Sequence, residues 1–197
     1  MSEQHWDGVY VSKDHTDVSW YQATPATSVR LVTSAVAEGS VVDVGAGAST
    51  LADELVERGY EVTVLDVAAT AIAAVRDRLG DRARYVVTDL LAWRPDATYD
   101  VWHDRAVFHF LTEPRDQAAY VSLAAATVRP GGALVLGTFA PDGPTMCSGL
   151  PTARHDAGSL AALFADGFEP ISSEREDHLT PWGSVQPFTW VVLERRA

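Results

Sequence analysis

The sequence has a single cysteine, Cys147, in 197 residues. One thiol excludes an internal disulfide and any metal cage built of cysteines alone. There is no apolar run of about 18 residues, so no segment is expected to span a membrane. The opening residues, "MSEQHWDGVY", lack the basic start and apolar core of a secretion signal. Positive charge is scarce: 15 Lys and Arg stand against 27 Asp and Glu, a formal net charge of −12. A protein that acidic repels a phosphate backbone, so nucleic acid is not an expected partner. No internal repeat, low-complexity tract or long Pro/Gly/Ser linker divides the chain. These absences lead to the expectation of a soluble protein in a reducing, cytoplasmic setting. Oligomeric state is left open.

What is present is one domain's worth of chain with a core-forming share of apolar residues, 47%. Strand patterns alternate with helical ones. "GSVVDVG" precedes the helical "TLADELVERGY", and "EVTVLDV" precedes the alanine-rich "AATAIAAVRDRLGD". "ARYVVTD" and "TYDVWHD" follow as strands, then the helix "EPRDQAAYVSLAAATV" and the strand "ALVLGTF". After a Pro- and Gly-rich loop come a short helix, "AGSLAALFAD", and the strand patterns "FEPISSEREDHLT" and "QPFTWVVLERR". The acidic "SEREDH" within the first of these reads as a solvated strand face. Alternating strands and helices predict an α/β fold with a mostly parallel sheet of seven strands and helices on both faces. The last two strands, joined by a loop too short for a crossover, predict an antiparallel hairpin at the sheet edge. Ligands in such folds bind at the carboxyl ends of the strands.

The segment 41–50, "VVDVGAGAST", is a strand, an acid, Gly-x-Gly and the entry to a helix. A dinucleotide fingerprint would carry a third glycine, which is absent after Gly45 and Gly47. Asp43 ends the strand where it would oppose a pyrophosphate, and is suited instead to a ligand with positive charge or donor groups. Asp66 ends the next strand, with Val67 beside it, close to the ~20-residue spacing at which an acid grips ribose hydroxyls. Asp89, followed by Leu90, is a third acid at the same rim. Three acids favour a cationic, phosphate-free cofactor such as S-adenosylmethionine.

At these residues the chain resembles the class I S-adenosylmethionine-dependent methyltransferases over nearly its whole length. "VVDVGAGAST", "VTVLDV", "VVTDLLAW", "YDVWHDRAVFHFL" and "TVRPGGALVLGTF" are similar to that family's motifs, in its order. The resemblance implies a single Rossmann-like methyltransferase domain over 36–197, preceded by N-terminal lid helices over 1–35. It implies that Asp89, helped by the backbone at Leu90, meets the adenine amino group. In layout, "WHDR", "EPRDQAAY", "RPGG" and "GPTMCSGLP" are similar to the small thiopurine-type and thiol/halide methyltransferases. His103, inserted ahead of Asp104-Arg105, and Gln117, standing where that subgroup often has an arginine, depart from it.

Methyl transfer asks a protein for orientation, desolvation and, for some acceptors, removal of a proton. His103 and Asp104, ending the fourth strand, are the candidates for that acid–base work; alternatively His103 only hydrogen-bonds backbone beside the methionine ammonium. Arg105 is a candidate for holding a carboxylate of cofactor or acceptor, or for pairing with a nearby acid. Tyr10 and Trp20 are expected to cover the cofactor, with Tyr21 beside them toward substrate, in an arm that orders with the cofactor. His109 is a core or pocket-wall residue, Cys147 a packing residue of the acceptor lid, and His178 reaches the same mouth from its loop. The six histidines make no His-x-x-x-His pair, so no metal is expected. The leading expectation is methyl transfer to an O, S or N atom of a small molecule. Open alternatives are a protein side-chain (Lys) methyltransferase and a protein that binds S-adenosylmethionine without transferase activity. An NAD-dependent oxidoreductase is disfavoured by Asp43 and the missing glycine.

Overall fold

The structure, a computed structural model, describes residues 3–12 and 14–197. Helix α1 (Glu3–Ser12) and helix α2 (Ala26–Ala35) precede strand β1 (Ser40–Val44). Then follow α3 (Leu51–Glu57), β2 (Glu61–Asp66), α4 (Ala69–Leu79), β3 (Arg84–Val87) and β4 (Tyr99–Arg105). The second half holds α5 (Pro114–Thr127), β5 (Val128–Phe139) and a two-rung hairpin of β6 (Met146–Cys147) and β7 (Leu150–Pro151). Helix α6 (Ala157–Leu163) and the long strands β8 (Phe168–Leu179) and β9 (Val185–Arg195) complete the chain.

Seven strands form one sheet in the order β3-β2-β1-β4-β5-β9-β8. The first five run parallel, and β9 lies antiparallel between β5 and β8. The expected C-terminal hairpin is therefore present, with its second strand inserted next to β5. The β6–β7 hairpin was not anticipated from the Pro/Gly-rich loop that contains it.

Because side chains alternate across a strand, each strand feeds both faces of the sheet. Val41, Val62, Val64, Val101 and Val135 meet Leu31 and Val32 of α2, Leu55 of α3 and Ile72 of α4. Val42, Val44, Trp102, Leu134 and Leu136 meet Tyr120 of α5 and Leu160 of α6. Trp102 is fully buried, and truncating such an aromatic costs about 3–5 kcal/mol. Leu31 and Val32 of helix α2 thus pack in the core layer on this face of the sheet.

The chain leaves β1 for β2 and β3 on one side, then returns to place β4 on the other. The loops after β1 and β4 diverge there and open a crevice at the strand ends. The "SEREDH" segment is only half solvated. Arg175 and Asp177 face water, whereas Glu176 Oε1 accepts hydrogen bonds from Gln22 Nε2 (3.2 Å) and Thr27 Oγ1 (3.0 Å). His178 Nε2 donates to the Ser19 carbonyl at 2.7 Å. That face of β8 fastens the segment 19–27 over the crevice.

Candidate active site

The loop after β1 is pressed between two neighbours. Gly45 has φ 63°, and a Cβ there would lie 1.9 Å from Val107 Cγ2. Gly47 has φ 55°, and a Cβ there would lie 2.2 Å from the Tyr10 hydroxyl. Both positions need glycine for conformation and for room. Asp66, at the end of β2, accepts from Gly47 N through Oδ2 and from Ala68 N through Oδ1, both at 2.8 Å. Burial lifts its pKa from 3.8 to about 6, against the pull of those two N–H groups. Burial, with Asp66 nearby, also pushes the Tyr10 phenol up, so its hydroxyl stays neutral.

A cleft runs along the strand ends from this acid. At one end it is lined by Asp66, Val67, Thr88, Asp89 and Leu90. Asp89 caps the short turn that follows, accepting from Leu91 N at 2.9 Å. At the other end stand Arg105, His109, Phe139, Cys147, Gln186 and Phe188. The roof is aromatic. Trp6 of α1 meets Phe110 edge-on at 5.1 Å and Trp20 at 5.8 Å, and Tyr10 meets Trp20 at 6.2 Å.

A second cleft lies on the α2 side of the glycine loop and is lined by Ser28, Asp43, Ser49, Tyr21 and His103. Tyr10, Trp20, Gly45 and Arg105 border both clefts. Here Asp43 Oδ1 lies 2.7 Å from His103 Nδ1, and His103 Nε2 lies 2.9 Å from Ser28 Oγ. A carboxylate only accepts, so Nδ1 carries the proton toward Asp43.

Arg105 and His109 are the unusual polar groups of the first cleft. Arg105 Nη1 donates to the Trp20 carbonyl at 2.9 Å, while Nε and Nη2 are buried with no hydrogen-bond partner among the described residues. Burial holds its pKa down near 10, which leaves it protonated at neutral pH. Both ring nitrogens of His109 are buried and unpartnered, and the ring stacks on Phe139 at 4.2 Å and 25°. Burial, then the Arg105 charge, lower its pKa to about 3. Burial pushes the Cys147 thiol up, so it stays protonated.

The structure brings together Tyr10, Trp20, Gly45, Asp66, Val67, Asp89, Leu90, Arg105, His109 and Cys147 around the first cleft. It gathers Asp43, His103 and Tyr21 around the second, and Gly47 joins them through Asp66 and Tyr10. Two expectations are corrected. Asp104 faces the α5 layer, where it accepts from Val107 N, Phe108 N and Tyr120 Oη and borders neither cleft. Adjacent residues on a strand point to opposite faces, so His103 and Asp104 do not share one mouth. His178 also borders neither cleft, because its ring is spent on the Ser19 carbonyl. His103 bonds side chains on both nitrogens rather than backbone. Gln117 donates to the Leu111 carbonyl at 2.8 Å and stands outside both clefts. Trp6, Ser28, Phe139, Gln186 and Phe188 were missed; of these only Trp6 left a trace, four residues before Tyr10 on one helical face.

Residues 41–132 match the family model of the methyltransferase domain. The matched segment, somewhat under half of the chain, is a methyltransferase domain. No curated protein matches the chain. Among solved structures, the chain is similar to the 1,6-didemethyltoxoflavin-N1-methyltransferase of Burkholderia thailandensis, with TM-score 0.80, 22% identity, and 98% of this chain and 88% of that one covered. It is similar to the N-methyltransferase NodS of Bradyrhizobium japonicum, with TM-score 0.79 and 14% identity over 100% of both chains. It is also similar to a protein solved in work on conversion of a disulfide bond into a thioacetal group during echinomycin biosynthesis, with TM-score 0.80, 23% identity, and 99% and 93% covered. At these identities the likeness to each is one of fold. Among the described residues, no helix of the chain is long and apolar enough to cross a membrane, and no cluster of three or more His, Cys, Asp or Glu is placed to hold a metal ion.

Proposed function

We propose that this chain is an S-adenosylmethionine-dependent methyltransferase acting on a small molecule held beneath the aromatic roof, next to the cofactor. The observation that carries this reading is the first cleft itself, acidic and ribose-suited at Asp66, then aromatic-lined from Arg105 to Phe188. The residues fit the cofactor. Asp66, already fixed by two backbone N–H groups, has lone pairs left for ribose hydroxyls. Asp89 and Leu90 flank the place for adenine, and Gly45 and Gly47 leave backbone bare where the methionine end would lie. Asp43, with His103 behind it, presents negative charge to the second cleft.

When bound, S-adenosylmethionine supplies a methyl group on a cationic sulfur. The chain's part is to orient and to exclude water. Tyr10 and Trp20 cover the junction of the two clefts, where an aromatic face favours a cation. We assign the lid to α1 and the segment 14–22, because α2 is fixed in the core. Positioning of this kind is worth about 7–11 kcal/mol of a barrier.

Calorimetric titration with S-adenosylmethionine, S-adenosylhomocysteine and NAD tests the reading. Binding of the first two and not of NAD is expected. Release of S-adenosylhomocysteine with small-molecule acceptors, and none with unfolded or intact proteins offered as substrates, completes it. NAD binding without a response to S-adenosylmethionine overturns it.

A further inference from the structure

We propose that the acceptor of this methyltransferase is an acidic planar ring compound bound as its anion, with its negative charge held by Arg105. This rests on the small-molecule reading of the first cleft and names the class of molecule that cleft takes.

Charge is the first argument. Arg105 is half-buried, its Nε and Nη2 atoms are buried and directed at no partner, and among the described residues no carboxylate forms an ion pair with it. Its Cζ lies 4.9 Å from the centroid of the Phe188 ring, so one face of the guanidinium is covered. The acid that bears on it, Glu176, gives Oε1 to Gln22 and Thr27 and Oε2 to Trp190. A cation left so, with its donors buried, costs several kcal/mol of solvation, which an anion in the cleft offsets through two charge-assisted hydrogen bonds. Two adjacent unpaired donors on a planar fork suit one oxygen, sulfur or ring-nitrogen anion, or a carboxylate.

Shape is the second. The stacked pair His109–Phe139 makes a flat wall, and Phe188 meets Phe139 edge-on at 5.0 Å. A ring slides against such a wall with favourable contact on its face, while a branched aliphatic chain does not fill it.

The third is the want of a base. His109 faces Arg105, Phe139 and Phe110, and its low basicity leaves it a neutral hydrogen-bonding group. The other titratable groups around Arg105 are the protonated Cys147 thiol, Glu176 with its oxygens engaged, and His178 donating to Ser19. Asp104 is on the far face, and His103 has both nitrogens occupied. An acceptor that enters as its anion leaves no proton for the chain to remove. Arg105 favours that ionised form over the neutral one.

The methionine carboxylate of the cofactor is the other source of a negative group, since Arg105 also borders the second cleft. The experiment separates the two. Equilibrium binding of 4-nitrophenolate, 7-hydroxycoumarin and 2-mercaptobenzoate to the S-adenosylhomocysteine complex is compared with aniline and cyclohexanol. The anions are expected to bind at least tenfold more tightly, each following its own ionisation as pH is varied. Arg105→Gln is expected to weaken the anions at least tenfold and S-adenosylhomocysteine less than threefold. Arg105→Lys, which keeps the charge and loses the fork, is expected to fall between and guards against misfolding of the first variant. A loss confined to S-adenosylhomocysteine overturns the proposal and gives Arg105 to the cofactor. Equal binding of neutral rings, or no binding of any anion to the complex, also overturns it. Failure of the wild-type protein to bind S-adenosylhomocysteine would instead sink the methyltransferase reading beneath it.

Discussion

His103 Nδ1 lies 2.7 Å from Asp43 Oδ1, and the two residues are register partners on adjacent strands β4 and β1. Ser28 of α2 completes the chain from the other ring nitrogen at 2.9 Å. The three groups tie the two central strands, at the point where their loops diverge, to the helix that follows the roof segment. Asp43 thereby keeps a donor inside the protein and can bear its charge while buried, at 3% exposure.

Removal of His103 tests that role. His103→Ala leaves a buried carboxylate and a buried hydroxyl without their partner, a change expected to cost about 3–5 kcal/mol in urea denaturation. For kinetics His103→Gln is the better variant, because its amide can still donate to Asp43. Its rate–pH profile is expected to keep the wild-type shape. A lost limb would make His103 a base.

Asp66 gives the site a pH dependence whose sign is fixed by its burial. Its pKa is raised from 3.8 to about 6, so in the free protein this group favours folding while protonated and withdraws that contribution as pH rises through about 6. Cofactor binding runs the other way, since ribose hydroxyls donate best to the carboxylate. S-adenosylhomocysteine is therefore expected to bind about tenfold more weakly at pH 5 than at pH 7, with proton release on binding near pH 6. Asp66→Ala is expected to weaken it at least tenfold and to flatten the pH dependence, both read by calorimetry.

Gly47 couples the cofactor loop to the lid. Gly47→Ala puts a methyl group 2.2 Å from the Tyr10 hydroxyl in a left-handed conformation that costs about 1–2 kcal/mol. The Tyr10 ring must withdraw, so tryptophan emission from the Trp6–Trp20 cluster is expected to shift and cofactor affinity to fall. In a Tyr10→Phe background the nearest remaining ring atom is at 3.3 Å, and part of the loss is expected to return. Additive effects in that double-mutant cycle would refute the contact.

The strand-end acids were legible because an apolar strand that stops at an acid places that acid at the rim. Sheet composition and the C-terminal hairpin followed from the same pattern. The period of two also held the correction at Asp104, which its neighbour His103 excludes from the mouth. What lay beyond local pattern were contacts between distant segments. Ser28 to His103 spans 75 residues and His178 to Ser19 spans 159, and no periodicity in either segment points to the other. Arg105 was visible as a charge, but its missing partners are a property of the packed interior alone.

Asp104 accepts Tyr120 Oη at 2.7 Å, and Tyr120 in turn accepts Trp102 Nε1 at 2.8 Å, all three fully buried. The same carboxylate holds Val107 N and Phe108 N, so it anchors the loop that presents His109 and Phe110 to the first cleft. Tyr120→Phe removes one donor from Asp104 and leaves the Trp102 indole N–H unpaired. The expected cost is about 1–3 kcal/mol, with a fall in Tm of about 2–4 °C for each kcal/mol. Burial holds Asp104 near pKa 6, against the pull of the Tyr120 hydroxyl, so losing that hydroxyl moves it higher still. The stability deficit of the variant is therefore expected to widen as pH rises from 5 to 8, because the unsupported carboxyl must ionise in place. Cofactor affinity is expected to hold while the acceptor end loosens. Thermal melts across that pH range, alongside S-adenosylhomocysteine titration, decide it: a deficit that stays the same across that range would mean that Asp104 stays protonated in the folded protein.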